Sequence, residues 1–343
     1  MVGTVADGGA SEGASSFSKA IFLGIAYSAS CGGLGSLIGT ATNGVLALNA
    51  ERFDIDIDFV SWLGFGMPLA ILMIFLLWGY MLIVFKASFS ETPAGAEGIR
   101  EFQRQLGPVC QAEIRVGVLF LLLAGGWCVR KSIVTRMGLP RGMFEDDTLS
   151  ILVMVLLFVV PAKFKDGQVR RLMDWSTLVR TPWHLLFLFG GGFALAKAFQ
   201  LTGLSRWLGG QCAVLAVLPP VAIVFVMVVL VTFLTEVTSN TATANVLLPI
   251  IGQTALAMGL APALLMIPAT LAASCAFMLP VATPPNAIVF GTGMVTMGDM
   301  ARTGVVLNLA SAVLITLWIF TWGRLWFDLS PPPPAARNVT LPA

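Results

Sequence analysis

Trp62 to Phe85 reads WLGFGMPLAILMIFLLWGYMLIVF and contains no acidic or basic side chain. A helix crossing the hydrocarbon of a bilayer needs about 20 predominantly apolar residues, because every backbone N–H and C=O there must be bonded within the segment. This run meets that requirement. Ile114 to Val129 and Thr303 to Phe327 are further plain spans, and Thr148 to Pro161 is shorter and needs flanking residues to cross. Trp183 to Phe199 is interrupted by Gly190–Gly192, where a neighbouring helix can approach closely. Composition agrees: 57% of residues are hydrophobic and 11% charged, whereas soluble domains carry about 25% charged residues. The fold class is therefore an all-α polytopic, multi-pass membrane protein.

Three other apolar stretches do not run straight through. Ala20 to Leu48 contains SCGGLGSLIGTATN, and Ala261 to Gly293 contains SCAFMLPVATPPN. A continuous helix cannot carry such glycine and proline clusters, and irregular backbone at membrane depth is tolerated only where it is buried in protein or lines a cavity. Pro219 to Leu260 has two apolar arms around the polar sequence TEVTSNTATAN. Each arm is roughly 15 residues, too short to cross alone, so a re-entrant hairpin with its tip near the midplane fits best.

The two broken stretches resemble each other. Ala29-Ser30-Cys31 matches Ala273-Ser274-Cys275, and Thr40-x-x-Asn43 matches Thr283-x-x-Asn286, with one residue of slippage between the anchors. Each is followed by an intact span. Paired interruptions in two halves point to an inverted-repeat secondary transporter, with re-entrant hairpin and broken helices and its site at the repeat interface. A hairpin precedes the second broken stretch but only a hydrophilic segment precedes the first, so an incomplete first repeat is expected. The expected organisation is a disordered N-terminal tail over 1–16, the remnant of a first repeat over 17–86 and a cytoplasmic loop over 87–112. A second repeat follows over 113–328, with the hairpin at 219–260, the broken helix at 261–293 and the last span at 303–327, and then a Pro-rich tail over 329–343. Lys and Arg lie in excess on the side of the N-terminus and the Phe164 to Thr181 loop, which the positive-inside rule assigns to the cytoplasm. The hairpin then enters from outside.

The hairpin tip crowds together Thr235, Thr238, Ser239, Asn240, Thr241, Thr243 and Asn245. A single Ser or Thr in a membrane helix ordinarily bonds a neighbouring carbonyl; a cluster this dense at a turn reads as a binding site. Sodium takes oxygen ligands, which unwound carbonyls, amides and hydroxyls provide without fixed charge. An oxyanion takes N–H and O–H donors, helped by the positive ends of half-helices. The tip and the facing ATPPN break offer both. The tip has no Lys or Arg, so an anion there has to be held by hydrogen bonds, helix ends and bound cations together. That dependence is a reason to expect cation coupling. Glu236 is an intramembrane carboxylate and a functional candidate by default.

Other function classes find little support. A net charge of +2 and a single histidine give neither a nucleic-acid footprint nor a histidine-rich metal site. The five cysteines form no CxxC pair and read as small buried side chains. There is no GxSxG elbow or Walker loop, and GGGFALAK lacks the strand context and GK[ST] ending of a phosphate cradle. An enzyme is therefore not expected.

TEVTSNTATANVLLPI, CAFMLPVATPPNAIVFGTG, AYSASCGGLGSLIGTATNGVLAL and LLFLFGGGFALAKAFQ together resemble the divalent anion:sodium symporter family, which includes sodium/dicarboxylate, sodium/citrate and sodium/sulfate cotransporters. The likeness extends from Phe17 to Asp328. It implies a dimeric, elevator-type carrier with two inverted repeats, each having a hairpin tipped by Ser-Asn-Thr and a broken helix. By motif, Ser239, Asn240 and Thr241 are similar to the second Ser-Asn-Thr signature, which contacts both a substrate carboxylate and sodium. Thr235, Thr238 and the carbonyl of Ala282 are similar to the remaining sodium ligands of that half. Thr283, Pro284, Pro285 and Asn286 are similar to the facing break that completes the substrate pocket. Gly39 and Thr40 are similar to positions that complete the other sodium site, with Asn43 nearby, and Thr40 and Asn43 also count toward the pocket. Two features depart from the family pattern: the first Ser-Asn-Thr signature is absent, and GTATN has Ala41 and Thr42 where the family often has Gly or Pro before Pro.

The resemblance implies sodium-coupled symport of a di- or tricarboxylate of the succinate, malate and citrate class. The carrier would be a homodimer embedded in the lipid of a plasma (bacterial inner) membrane, with sodium as coupling ion, no organic cofactor and no nucleic-acid partner. Two alternatives stand beside it: a transport-incompetent fragment that needs a complementary chain, and a proton-driven anion carrier using Glu236.

Overall fold

The computed structural model describes residues 8–85, 95–137, 146–181, 183–204, 207 and 218–331. In chain order its helices are α1 (Gly8–Gly33), α2 (Ala41–Ala50), α3 (Phe59–Phe85), α4 (Gly95–Leu106), α5 (Gln111–Met137), α6 (Asp146–Val159) and α7 (Trp175–Val179). They are followed by α8 (His184–Leu201), α9 (Pro220–Thr235), α10 (Asn240–Ala257), α11 (Pro262–Ser274), α12 (Pro284–Gly291) and α13 (Met297–Thr321). Between α6 and α7, β1 (Pro161–Lys163) pairs antiparallel with β2 (Val169–Arg171). Segments Phe59–Phe85, Gln111–Arg130 and Met297–Leu325 are long and apolar enough to cross a membrane. They coincide with the three plain spans in the sequence.

Proline and glycine set where the shorter helices begin and end. Pro220, Pro262 and Pro284 each stand in the first turn of a helix, where the missing N–H has no partner to lose and the fixed φ suits the turn. Helix α11 stops at Cys275, whose φ of −94° and ψ of 72° leave the helical region, and helix resumes only at Pro284. Helix α1 stops at Gly32-Gly33, before a second glycine pair at Gly35 and Gly39. The hairpin forms as α9 and α10, with Glu236 to Ser239 as its turn.

Two stretches differ from expectation. Helix α1 begins at Gly8, inside the 1–16 stretch expected to be a disordered tail; once the apolar part of the helix is nucleated, each added residue gains a bond at small cost. The expected 87–112 loop holds α4, in which Ile99, Phe102 and Leu106 recur at helical spacing among charged residues. Of the Pro-rich tail, 332–343 lie outside the described residues.

The chain forms two compact units, Met1–Ser88 with Leu186–Ala343, and Phe89–Leu185. The boundary falls inside the expected second repeat, so the units are not the repeats. In the second unit α5 packs on α6, and the β-hairpin is tied to α5 by Lys163 N–H to Gln111 Oε1 (3.1 Å) and by the Lys165–Glu113 ion pair (2.8 Å). That ion pair raises the Lys165 pKa above its ordinary value, chiefly through the hydrogen bond to Glu113.

In the first unit α11 is central. Every residue from Pro262 to Ser274 is buried, and the helix packs against α2, α9, α10 and α13. A helix apolar all round belongs in such a place. The core around it includes Leu23 and Tyr27 of α1, Trp62 and Phe65 of α3, Val228 of α9, Leu248 of α10 and Ile315 of α13. Tyr27 meets Phe277 edge-on at 5.3 Å between ring centroids. Lipid tails are as apolar as these side chains, so close packing and polar contacts hold such helices together. The two helix breaks show how close that packing is.

Candidate ion and anion site

Each broken helix frees backbone groups that need partners. Asn43, in the first turn of α2, is fully buried, and its Nδ2 donates to the carbonyls of Gly33 (3.1 Å) and Ser36 (2.9 Å). Asn286, in the first turn of α12, is also fully buried, and its Nδ2 donates to the carbonyls of Ala276 (3.1 Å) and Leu279 (3.0 Å). Both amides reach back ten and seven residues. The Thr-x-x-Asn spacing is one device used twice: Thr opens the second half-helix and Asn stitches the gap behind it. The Oδ1 atoms of Asn43 and Asn286 are buried without a partner among the described residues. A buried oxygen in that position costs free energy unless a donor or a cation meets it.

The half-helices start alike but are capped differently. Thr40 and Thr283 share an extended backbone, with φ of −144° and −140°. The Thr283 hydroxyl accepts the Asn286 N–H at 3.3 Å, whereas Thr40 makes no side-chain cap. The chain also closes tightly on itself and on the next span. A Cβ on Gly39 would stand 2.4 Å from the Gly33 oxygen. On Gly66 of α3 it would stand 2.6 Å from the Leu34 oxygen, and on Gly304 of α13 only 2.3 Å from the Phe277 oxygen. Only glycine permits these approaches. Trp62 Nε1 adds a hydrogen bond to the Leu34 carbonyl at 3.1 Å.

The hairpin tip is bonded to the second break. The Thr235 hydroxyl donates to Asn240 Oδ1 (2.6 Å) and to the Ala273 carbonyl (3.1 Å). Buried Glu236 accepts from the backbone N–H groups of Met278 (2.9 Å) and Leu279 (3.0 Å) and from Asn308 Nδ2 (2.7 Å). Thr238 bonds within the hairpin, to the Leu234 carbonyl and to Thr243 Oγ1 at 2.6 Å. A Thr42–Ser274 hydroxyl pair at 2.6 Å joins α2 to α11.

Of the residues singled out in the sequence, Thr235 and Asn240 are in direct contact. Ala282, Thr283 and Asn286 are buried in the second break, with Pro284 exposed and Pro285 half-buried beside them. Gly39 is exposed and Thr40 half-buried. Ser239 is exposed and Thr241 half-buried, and among the described residues neither side chain bonds to either break. Asn308 escapes a reading of the sequence, although a lone amide inside the apolar run VVLNLAS was the signal for it. Among the described residues no cluster of His, Cys, Asp or Glu could hold a metal ion, so the donors for a cation here are hydroxyl, amide and carbonyl oxygens. The N-terminus of α10, at the tip, has no side-chain cap and presents N–H groups that favour negative charge; α12 begins with Pro284 and Pro285, which have no N–H, and its Asn286 N–H is already taken by Thr283.

Comparison with known proteins bears on this arrangement. Residues 9–329 match the family model described as the sodium:sulfate symporter transmembrane region. The chain is 41% identical over 311 residues to the sodium-dependent dicarboxylate transporter SdcS of Staphylococcus saprophyticus, covering 90% of this chain and 60% of that protein. It is 40% identical over 306 residues to SdcS of Staphylococcus aureus, covering 89% and 58%. The chain thus spans about three fifths of the length of these curated relatives. It is a multi-pass integral membrane protein, and it belongs to the divalent anion:sodium symporter family.

Proposed function

We propose that this chain carries out sodium-coupled symport of a dicarboxylate, with the hairpin tip and the two breaks as its binding region. The observation that carries the reading is the bonding of the tip to the second break through Thr235 and Glu236. The names of the relatives, both sodium-dependent dicarboxylate transporters, support it.

In this assignment sodium is held by Thr235, Thr238, Asn240 and the Ala282 carbonyl in one half, and by the Gly39 region in the other. Ser239, Asn240 and Thr241 on the tip, Thr283 to Asn286 on the second break, and Thr40 and Asn43 on the first form the substrate pocket. With no Lys or Arg at the tip, a dianion brought here alone would lose its water without a compensating charge. A unit cation at 4 Å supplies about 4 kcal/mol of attraction at an effective dielectric constant near 20. Sodium binding before the anion follows from that difference. An elevator mechanism and a homodimer are both supported by the family resemblance.

Thermal unfolding of the purified chain tests the proposal. Ligand that binds the folded state alone stabilises it, by about 2.7 kcal/mol at a hundredfold excess over Kd. Succinate is expected to raise the unfolding temperature in sodium but not in potassium, and citrate to separate di- from tricarboxylate preference. A shift of equal size in both salts, or none with any carboxylate or sulfate, refutes the assignment.

A further inference from the structure

We infer that Glu236 and Asn308 act as one clamp that sets the shape of the second break, and that the sodium affinity of that half depends on it; this rests on the sodium assignment above. Where α11 ends, three consecutive N–H groups lose their helical partners, and side chains from two other elements accept all three. Phe277 N–H goes to Asn308 Oδ1 (3.3 Å), Met278 N–H to Glu236 Oε1 (2.9 Å) and Leu279 N–H to Glu236 Oε2 (3.0 Å). Asn308 Nδ2 closes the ring onto Glu236 Oε1 at 2.7 Å. Glu236 is 4% exposed and Asn308 is fully buried.

The first break is built differently. Leu34 N–H bonds the Cys31 carbonyl (3.2 Å) and Gly35 N–H the Gly32 carbonyl (3.1 Å), so that break closes on itself through local turns. The second takes its shape from a carboxylate on the hairpin and an amide in α13. The match of chemistry is specific. The two Glu236 oxygens here accept from three N–H donors, those of Met278, Leu279 and the Asn308 amide. Glutamine would turn an NH2 group toward one of them.

The link to sodium runs through Leu279. Its N–H is held by Glu236, and its carbonyl accepts from Asn286 Nδ2 and from the Ala282 N–H at 3.2 Å. Ala282 is therefore placed from Leu279. Thr235, the neighbour of Glu236, stands on the other side of the clamp. The clamp fixes the spacing between the hairpin ligand and the break ligand, which makes Glu236 and Asn308 positioning residues.

A sodium titration of the unfolding temperature at saturating succinate tests this, with the unfolding temperature in potassium as the measure of stability alone. Glu236→Gln is expected to raise the sodium midpoint tenfold or more. Glu236→Gln combined with Asn308→Asp is expected to bring it part of the way back, because the carboxylate moved onto α13 can accept from Phe277 N–H and from the new amide, while one of the Met278 and Leu279 N–H groups still lacks its acceptor. Should Glu236→Gln fail to fold, Asn308→Ala is read instead, with a smaller rise expected because the carboxylate and its two backbone bonds remain. A variant that lowers the unfolding temperature in potassium yet keeps the wild-type sodium midpoint overturns the inference, as does a double variant no better than the single one. Absence of any sodium-specific response in the wild-type chain instead refutes the functional assignment, and the clamp's role in sodium affinity with it.

Discussion

Replacing Gly304 by alanine is expected to force α13 away from the second break. The added methyl carbon would stand 2.3 Å from the Phe277 carbonyl oxygen, 2.4 Å from the carbonyl carbon and 2.6 Å from the Met278 Cα. All three atoms are backbone, so no side chain can rotate aside. Ordinary contact begins at 3.4 Å, so relief needs a displacement of about 1 Å, and overpacking of this kind costs about 1–3 kcal/mol. The same displacement strains the 3.3 Å bond from Phe277 N–H to Asn308, four residues on in α13, with a further loss of about 1 kcal/mol. Alanine's better helix propensity returns about 1 kcal/mol. The net expectation is a destabilisation of about 1–3 kcal/mol. Gly24→Ala in α1 and Gly44→Ala in α2 are matched controls, because a Cβ there meets nothing within 4 Å; they should be neutral or gain up to about 1 kcal/mol. Thermal unfolding of the three purified variants in potassium decides the matter. If Gly304→Ala unfolds as late as the two controls, the close approach of α13 to the break is wrong.

Further outcomes follow from the same geometry. Thr283→Ala should cost about 1 kcal/mol in unfolding free energy through loss of the cap on Asn286 N–H, while Thr40→Ala, which removes no such bond, should cost less than half as much. Asn43→Ala and Asn286→Ala should each cost about 2 kcal/mol, from two amide-to-carbonyl bonds at about 1 kcal/mol apiece, measured by denaturant or thermal unfolding. Asn240→Ala should abolish the sodium-specific response to succinate and leave the unfolding temperature in potassium within a few degrees of wild type, since among the described residues its side chain accepts only from the Thr235 hydroxyl, which keeps the Ala273 carbonyl.

Much of the architecture can be seen in the residues. The plain spans declare themselves by unbroken hydropathy, and the broken helices by Gly32-Gly33 and Pro280 set in apolar sequence. The hairpin declares itself by arms too short to cross. The repeated Thr-x-x-Asn spacing marks the two breaks as alike, but that each Asn bonds back over its own gap is seen only in the structure. The division into Met1–Ser88 with Leu186–Ala343 and Phe89–Leu185 is not legible, since it depends on which apolar faces meet, and those faces look alike in composition. Helix α4 is missed for another reason: its spacing is helical, but its charge makes it read as a connector. The contacts of Glu236 are also hidden, because its partners lie 42, 43 and 72 residues away. Two of those partners are backbone groups, which no side-chain pattern reveals.

Thr235 has a single hydroxyl hydrogen and two oxygens that can take it, at 2.6 and 3.1 Å. Under the proposed assignment, an ion drawing on the amide oxygen of Asn240 would turn that hydrogen toward Ala273, and the hydroxyl would keep a hydrogen-bond partner throughout. A hydroxyl turns within picoseconds to nanoseconds. The pace of loading would then be set by the ion's arrival and the shedding of its own water, not by the turning of the hydroxyl.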